Sequence, residues 1–285
     1  MIEFLYSLLA GIVQGITEWL PISSTGHLIL LDSIFGAFGF SMSPGFVNMF
    51  EVVIQFGSIM AIVVLYFRRL NPFAPSKSES EKKETWSLWA KILVAAVPAG
   101  VIGVLFDDLL DEKVFAAPQK YYVVAAALAV YGILFIIIER WNRGRHFRVS
   151  EPEQIDMKTA LGIGAFQVLA LIPGTSRSGS TILGSSLLGV SRTAAAEFSF
   201  FLAIPVMLGA SLLKIAKFVL GADSAASAFT GTELMVLIVG TLVSFLVSLV
   251  AVKFLVGFVR RHSFEVFGWY RIALGAVVLG WLILR

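Results

Sequence analysis

Long apolar stretches separated by short polar connections dominate the chain. A membrane-spanning helix needs about 20 consecutive, mostly apolar residues. Six stretches meet that requirement, and they cover approximately 46–67, 87–106, 121–139, 194–216, 233–257 and 265–284. The pattern therefore predicts six full transmembrane helices.

Two further apolar stretches are interrupted by polar sequence rich in Gly and Pro. Residues 2–38 contain the segment PISSTGH at 21–27, and residues 159–190 contain PGTSRSGST at 173–181. Each half is short for a bilayer span, which predicts a re-entrant helix–loop–helix hairpin in each stretch. Irregular backbone at membrane depth persists only where protein buries it or where it lines a wet cavity, so both breaks are expected to face a polar site. The alternative is an ordinary loop between two short spans.

The two halves of the chain resemble each other. The segment GIVQ at 11–14 precedes the first break, and GAFQ at 164–167 precedes the second. Residues 1–145 and 155–285 then each hold one hairpin followed by three spans. Because a hairpin returns to its own side and three spans cross an odd number of times, the second half must enter from the opposite face. We therefore predict an all-α polytopic membrane protein with an inverted-topology repeat, forming one integral membrane domain.

The composition agrees with a membrane protein. Of the 285 residues 58% are hydrophobic and 14% are charged, against roughly 45–50% and about 25% in soluble domains. These values disfavour a soluble enzyme and a disordered chain. The net charge is only +3, and no basic stripe is interleaved with aromatic residues, so no nucleic-acid partner is expected. The absence of cysteine excludes thiolate catalysis and cysteine metal sites.

Most of the basic residues fall on one side of the predicted topology. They lie in 68–91, 140–158 and 260–261 and at Arg192. The positive-inside rule places these connections in the cytoplasm and both termini outside it. The first hairpin then opens outward and the second opens inward. The connection at 70–86 is predicted to be a solvated linker without a motif.

Ionisable side chains inside a bilayer are costly and mark functional sites by default. The apolar stretches contain Glu18, His27, Glu51, Arg177, Glu197, Lys253 and Arg271. We expect Glu51 and Glu197 to pair with Arg271, with Lys253 or with backbone N–H groups freed at the breaks. Lys253 and Arg271 lie near predicted cytoplasmic helix ends and are expected to snorkel to the interface. His27, taken alone, is equally well explained as an interior histidine with satisfied hydrogen bonds.

The second break has the residues of a phosphate site. Arg177 presents a fixed fork of donors that suits phosphate. Ser176, Ser178 and Thr181 add hydroxyl donors, and backbone N–H groups near Gly174 and at the start of the following helix favour an anion. Close helix packing by small residues is the alternative for Ser178.

The first break has the residues for attack on phosphorus. Ser24 supplies a hydroxyl nucleophile, Glu18 a carboxylate and His27 an imidazole, the groups that nucleophilic and acid–base catalysis require. Other polar side chains near the break are expected to bind substrate: Gln14, which shares a helix face with Glu18, Ser23 and Thr25.

The motif Gln14-x-x-x-Glu18, the two breaks and the segment FEVVIQFG at 50–57 together resemble the bacterial undecaprenyl-diphosphate phosphatases of the bacitracin-resistance type. The resemblance runs over nearly the whole chain. The family pattern accepts Glu or Gln at the first position of the motif. Gln14 therefore leaves one carboxylate there, which disfavours any metal held by two.

This resemblance implies that undecaprenyl diphosphate is hydrolysed to undecaprenyl phosphate and inorganic phosphate in the bacterial cytoplasmic membrane, with the active site open to the periplasm. The reaction recycles the carrier lipid of peptidoglycan synthesis and links the family to bacitracin. Stimulation by a divalent cation, Mg²⁺ or Ca²⁺, and a homodimer are also implied, with Glu18 as the candidate metal ligand. The implied active-site positions are Glu18, Ser24, His27, Ser176, Arg177 and Thr181.

Two questions stay open at this level. Ser24 is the predicted nucleophile, with Glu18 or His27 accepting its proton, and His27 as nucleophile is the rival assignment. A polyprenyl-phosphate transporter or flippase is the rival function, because inverted repeats with broken helices are a transporter architecture. A channel is a weaker alternative, since a cluster of Ser, His, Glu and Arg suits phosphate better than ion passage.

Overall fold

A computed structural model describes residues 2–40, 44–113, 119–219 and 230–284. The chain is built from helices joined by short turns. The helices are α1 Ile2–Thr17, α2 Ser24–Ala37, α3 Pro44–Leu65, α4 Phe67–Leu70, α5 Glu79–Lys113, α6 Gln119–Trp141, α7 Met157–Val168, α8 Arg177–Leu187, α9 Arg192–Val219, α10 Gly231–Val259 and α11 Glu265–Leu284. Two short 3₁₀ turns lie at Pro152–Gln154 and Leu169–Leu171.

Within the described residues, five helices are long and apolar enough to cross a membrane. The qualifying segments are Glu79–Phe106, Lys120–Trp141, Arg192–Leu212, Gly231–Val259 and Glu265–Leu284, and they confirm five predicted spans. The protein is therefore a polytopic, all-helical membrane protein.

The sixth predicted span, 46–67, coincides with α3, a helix of 22 residues from Pro44 to Leu65. Its continuously described part, Met49–Leu65, is an apolar helix. The helix ends at Leu65, because Tyr66 leaves helical geometry, with φ −108° and ψ 16°, before α4 begins.

The predicted linker 70–86 is also partly wrong, because α5 begins inside it at Glu79. A reciprocal pair of bonds starts the helix. The N–H of Ser78 donates to Glu81 Oε2 over 2.7 Å, and the N–H of Glu81 donates to Ser78 Oγ over 3.3 Å. This S-x-x-E capping box is a recognisable start signal, so the linker does carry a motif.

Each interrupted stretch forms two short helices around a turn. The first is α1 and α2, separated by residues 18–23, and the second is α7 and α8. Ser23 and Ser176 cap the second helix of each pair with side chains that accept from Gly26 N and Gly179 N. Both serines have positive φ, 72° and 71°, which is rare outside glycine and marks constrained backbone at functional sites.

The main helix–helix contacts made by the first half of the chain have equivalents made by the second half. Helix α1 packs on α10, and α7 packs correspondingly on α5. Helix α3 contacts α10 as α9 contacts α5, while α3 packs on α9 and α6 packs on α11. The main contacts of α1, α3 and α6 in the first half therefore have equivalents in the second.

Small residues allow these helices to approach closely. A Cβ atom added to Gly11 would lie 2.6 Å from Gly240 O, and one added to Gly15 would lie 2.8 Å from Ser244 O. The hydroxyl of Ser248 donates to Gly15 O over 3.2 Å. Interfaces of this kind are typical of packing inside membranes.

Gly57→Ala is expected to destabilise the α3–α10 contact. The added methyl group would overlap Thr241 O on α10, and such overpacking costs typically about 1–3 kcal/mol. We expect a lower thermal unfolding midpoint in detergent. Gly209→Ala on α9 is the matched control, because its Cβ would meet no atom within 4 Å. Equal midpoints for the two variants would contradict this account of the contact.

Arg69 organises the ionic contacts beyond the end of α3. Its Nη1 lies 2.7 Å from Glu197 Oε2, and its Nε and Nη2 donate to the carboxylate of Glu153 over 2.7 Å each. The expected partners of Glu197, Arg271 and Lys253, are therefore wrong, because α4 brings Arg69 to the start of α9. Burial raises the pKa of Glu153, but the hydrogen bonds and charge of Arg69 outweigh it and hold that pKa below its usual value.

Candidate functional site

The two breaks meet at the carboxylate of Glu18, which directly follows α1. Arg177 Nη2 donates to Glu18 Oε1 over 3.2 Å. Gln14 Nε2 and Ser24 Oγ donate to Glu18 Oε2 over 3.0 Å and 3.4 Å. Glu18 is only 6% exposed, so its charge is balanced by the guanidinium rather than by water. A carboxylate, a hydroxyl and a guanidinium thus share one place.

Arg177 is the first residue of α8 and lies largely buried. Its Nη1 donates to Ser199 O over 2.7 Å, and its guanidinium carbon is 5.7 Å from the ring centre of Trp19. Its Nε has no hydrogen-bond partner among the described residues. The buried edge formed by Nε and Nη2 therefore retains an unused donor beside Glu18.

His27 has both ring nitrogens engaged. Nδ1 lies 2.7 Å from Ser23 O, and because a carbonyl only accepts, Nδ1 carries the hydrogen. In the neutral imidazole Nε2 then accepts from the hydroxyl of Tyr270, 2.7 Å away. The two rings lie nearly parallel, with an interplanar angle of 7°. The contact with Tyr270 joins α2 to α11 and was not anticipated from the sequence.

The predicted binding residues fall into an outer group and a buried group. Ser24 and Thr25 are half-buried at the start of α2, while the hydroxyls of Ser23 and Ser176 cap helices. The first N–H groups of α2 and α8 have no acceptor within their helices. These groups add partial positive charge beside Glu18 and Arg177.

The buried group supports the site from behind. Ser178 Oγ donates to Leu20 O over 3.2 Å, which ties the second break to the first. Thr181 Oγ1 lies 2.7 Å from Ser199 Oγ, next to the carbonyl that holds Arg177. Gly174 has φ 93° in its turn. In this arrangement the hydroxyls of Ser178 and Thr181 are already bonded to protein groups.

The prediction that Arg271 snorkels to the interface is wrong. The residue is fully buried, its Nη1 donates to Pro21 O over 3.0 Å, and its Nη2 donates to Gly174 O and Thr175 O over 2.8 Å and 2.9 Å. The arginine therefore contacts both breaks at once. The sequence does give one indication of this role. Two helix breaks leave backbone carbonyl groups without partners, and these groups need a buried donor such as an arginine.

Glu51 and Lys253 lie away from this cluster. Glu51 is half-buried on α3, and Lys253 is exposed on α10. In the part of the chain that is described, no hydrogen bond joins either of them to Glu18, Ser24 or Arg177.

The residues do not form a resident metal site. Among the described residues no three His, Cys, Asp or Glu side chains cluster as a cation would require. Glu18 stands alone and already accepts from Arg177, Gln14 and Ser24, and the adjacent guanidinium repels a cation. No step is therefore assigned to a metal held by the chain.

Comparison with known proteins gives a consistent result. The sequence model of one family, described as bacitracin resistance protein BacA, matches residues 7–277. An undecaprenyl-diphosphatase of Enterococcus faecalis strain V583 is 53% identical over 97% of this chain and 96% of its own length. That of Desulfitobacterium hafniense is 52% identical over 98% and 96%. Undecaprenyl-diphosphatase 1 of Clostridioides difficile strain 630 is 52% identical over 100% and 98%.

Proposed function

We propose, on the premise that this chain belongs to the bacitracin resistance protein BacA family, that it hydrolyses undecaprenyl diphosphate at the cluster around Glu18. The activity is that of an undecaprenyl-diphosphatase, and the family is linked to bacitracin resistance. One observation indicates where the site lies. Glu18 bonds both the hydroxyl of Ser24 and the guanidinium of Arg177, which is 159 residues away.

Transfer of the terminal phosphoryl group to Ser24 is the first step. The oxygens of the terminal phosphate bind the Nε–Nη2 edge of Arg177 and the free N–H groups of the breaks. Ser24 Oγ attacks phosphorus as its proton passes to Glu18, already 3.4 Å away. The bond from phosphorus to the bridging oxygen breaks, and undecaprenyl phosphate leaves as an anion. Arg177 offsets the charge on the phosphoryl oxygens throughout.

Hydrolysis of phosphoserine is the second step. Water attacks phosphorus, and the bond between phosphorus and Ser24 Oγ breaks. The proton held by Glu18 returns to Oγ, and a proton of the water goes to the departing phosphate. Ser24 is half-buried rather than fully enclosed, which supports access by water.

The contacts of His27 favour Ser24 as nucleophile. Attack through Nε2 would first require loss of the bond to Tyr270, and Nδ1 is held by Ser23 O. His27 instead fits a role in fixing the start of α2. Because Ser24 bonds Glu18, the carboxylate is also the better candidate for accepting the proton.

We further propose that each half is a re-entrant hairpin followed by three spans, inserted in opposite directions. Two observations support this arrangement. The main helix contacts of one half have equivalents in the other, and a serine with positive φ caps the second helix of each interrupted pair. The concentration of Lys and Arg in 68–91 and 140–158 favours a cytoplasmic location for those connections. The catalytic cluster then opens toward the periplasm.

Release of inorganic phosphate from undecaprenyl diphosphate by detergent-solubilised protein tests the activity. A transporter needs no hydrolysis, so phosphate release from the pure protein separates the two functions. Steady-state release above a heat-denatured control is the expected result. A folded preparation that binds the lipid but releases no phosphate would overturn the assignment.

Trapping the phospho-enzyme tests the nucleophile. With substrate carrying a ³²P-labelled terminal phosphate and rapid quenching, we expect label on the protein that survives acid, because phosphoserine is acid-stable and phosphohistidine is not. A matched preparation of Ser24→Ala should carry no label. Label that acid releases, and that persists in Ser24→Ala, would assign the attack to His27 instead.

A further inference from the structure

Arg271 is a buried cation without an acidic partner among the described residues. Its guanidinium is fully buried and contacts three backbone carbonyls, and its carbon lies 5.3 Å from the ring centre of Tyr131. Carbonyl dipoles and an aromatic face compensate a buried charge only in part. Burial of an unpaired guanidinium on α11 therefore calls for a reason beyond packing.

The three carbonyls belong to different halves of the chain. Pro21 lies 250 residues from Arg271 in the first break, while Gly174 and Thr175 lie in the second. Helix α6 contacts both α2 and α8. Among the described residues, the other direct bonds between the breaks are those of Ser178 to Leu20 and of Arg177 to Glu18. The planar fork reaches both breaks from one position, with Nη1 on the first break and Nη2 on the second.

The structure also makes room for this guanidinium in the first turn of α8. A Cβ atom added to Gly179 would lie 3.0 Å from Arg271 Nη1 and 3.2 Å from Ser176 Cβ. A side chain at this position would require the guanidinium to shift by a few tenths of an ångström. The preceding residue on α11, Tyr270, holds His27, so adjacent residues of one helix grip the first break at two points.

Resting on the proposed function, we propose that Arg271 is a positioning residue that clamps the two breaks, so that Ser24 faces the phosphate held by Arg177. The carbonyls of the breaks turn toward Arg271, which leaves the N–H groups at the starts of α2 and α8 for the substrate. The unpaired charge is offset in the complex by the diphosphate, which carries the negative charges that the protein lacks here.

Steady-state kinetics of Arg271→Lys and Arg271→Gln separate the clamp from the charge. Lysine keeps the charge but cannot span both breaks, so kcat should fall by about 10²-fold, as for a misplacement of about 1 Å, with KM nearly unchanged. Glutamine loses both the positive charge and the ability to span the breaks, so KM should also rise about tenfold. A folded Arg271→Lys variant with the kcat of the unchanged protein would overturn the proposal.

Gly179→Ala tests the same clamp without altering the arginine. We expect its kcat to fall about tenfold through the displaced guanidinium. Gly280→Ala on α11 is the control, because its Cβ would meet no atom within 4 Å, and it should retain full activity. Equal kcat values for the two glycine variants would count against the clamp even if both arginine variants fail to fold.

A distance measurement makes the clamp testable apart from catalysis. The chain has no cysteine, so Thr25→Cys and Ile172→Cys place two unique spin labels, one near each break. Arg271→Lys should broaden and lengthen their distance distribution. An unchanged distribution would overturn the clamp. If the unchanged protein releases no phosphate, the proposed function fails, and the label distances still decide whether Arg271 holds the breaks together.

Discussion

Ser24→Ala is expected to reduce phosphate release by at least about 10³-fold, the scale of losing a catalytic nucleophile. The reason is geometric as well as chemical. Ser24 stands at the first position of α2, and its hydroxyl donates to the carboxylate that we assign as the proton acceptor. With the hydroxyl removed, neither Glu18 nor Arg177 supplies an atom that can form the bond to phosphorus.

Ser33→Ala is the matched control for this experiment. Ser33 lies on the same helix, and its hydroxyl donates to Ile29 O over 2.7 Å without contact to Glu18. Both variants should unfold near the temperature of the unchanged protein, because the hydroxyl of Ser24 is half-buried and makes only a 3.4 Å bond. Retention of a tenth or more of the activity by Ser24→Ala would rule out Ser24 as nucleophile.

Arg177→Lys is expected to lower kcat/KM by about 10²–10³-fold, although the charge is kept. Oxyanion stabilisation by fixed donors has this magnitude, and it depends here on direction. The Nη1 group is held by Ser199 O and the Nη2 group by Glu18, so the plane of the guanidinium is set before substrate arrives. An ammonium group cannot satisfy Ser199 and Glu18 and also present a forked edge to phosphate.

Arg140→Lys is the control for that substitution. Arg140 pairs with Glu265 over 2.8 Å, and its side chain is 55% exposed. An ion pair whose arginine is this exposed contributes little, so we expect unchanged kinetics. Comparison of the unfolding midpoints of the two variants separates loss of folding from loss of catalysis. Near-full activity of a folded Arg177→Lys variant would refute the role of the forked edge.

Much of the site was predictable from short-range pattern. Polar residues that interrupt an apolar stretch identify both breaks, and the cost of a charge in the bilayer identifies Glu18 and Arg177. Their pairing across the halves is in accord with the prediction that the breaks converge. The start of α5 was also within reach, because Ser78 and Glu81 form a capping box that a search of the linker would have found.

Other contacts could not be predicted, because they depend on which helices become neighbours. Glu197 pairs with Arg69 only because the chain turns at Tyr66 and α4 lies beside α9. Tyr270 reaches His27 across 243 residues. The order of residues along α11 does not indicate which of its faces meets the breaks, so the sequence predicts Arg271 at an interface, whereas it is fully buried.

The sequence by itself determined that this protein lies in a membrane, where its five confirmed spans fall, and which chemical groups stand at its two breaks. These depend on local composition and on the period of the helix, which each segment carries alone. Only the tertiary structure decided which donors satisfy the backbone groups that the breaks leave unpaired. That choice is a property of packed neighbours: the guanidinium of Arg271 reaches Pro21 and Gly174 because α11 lies beside both breaks, and no segment contains that information.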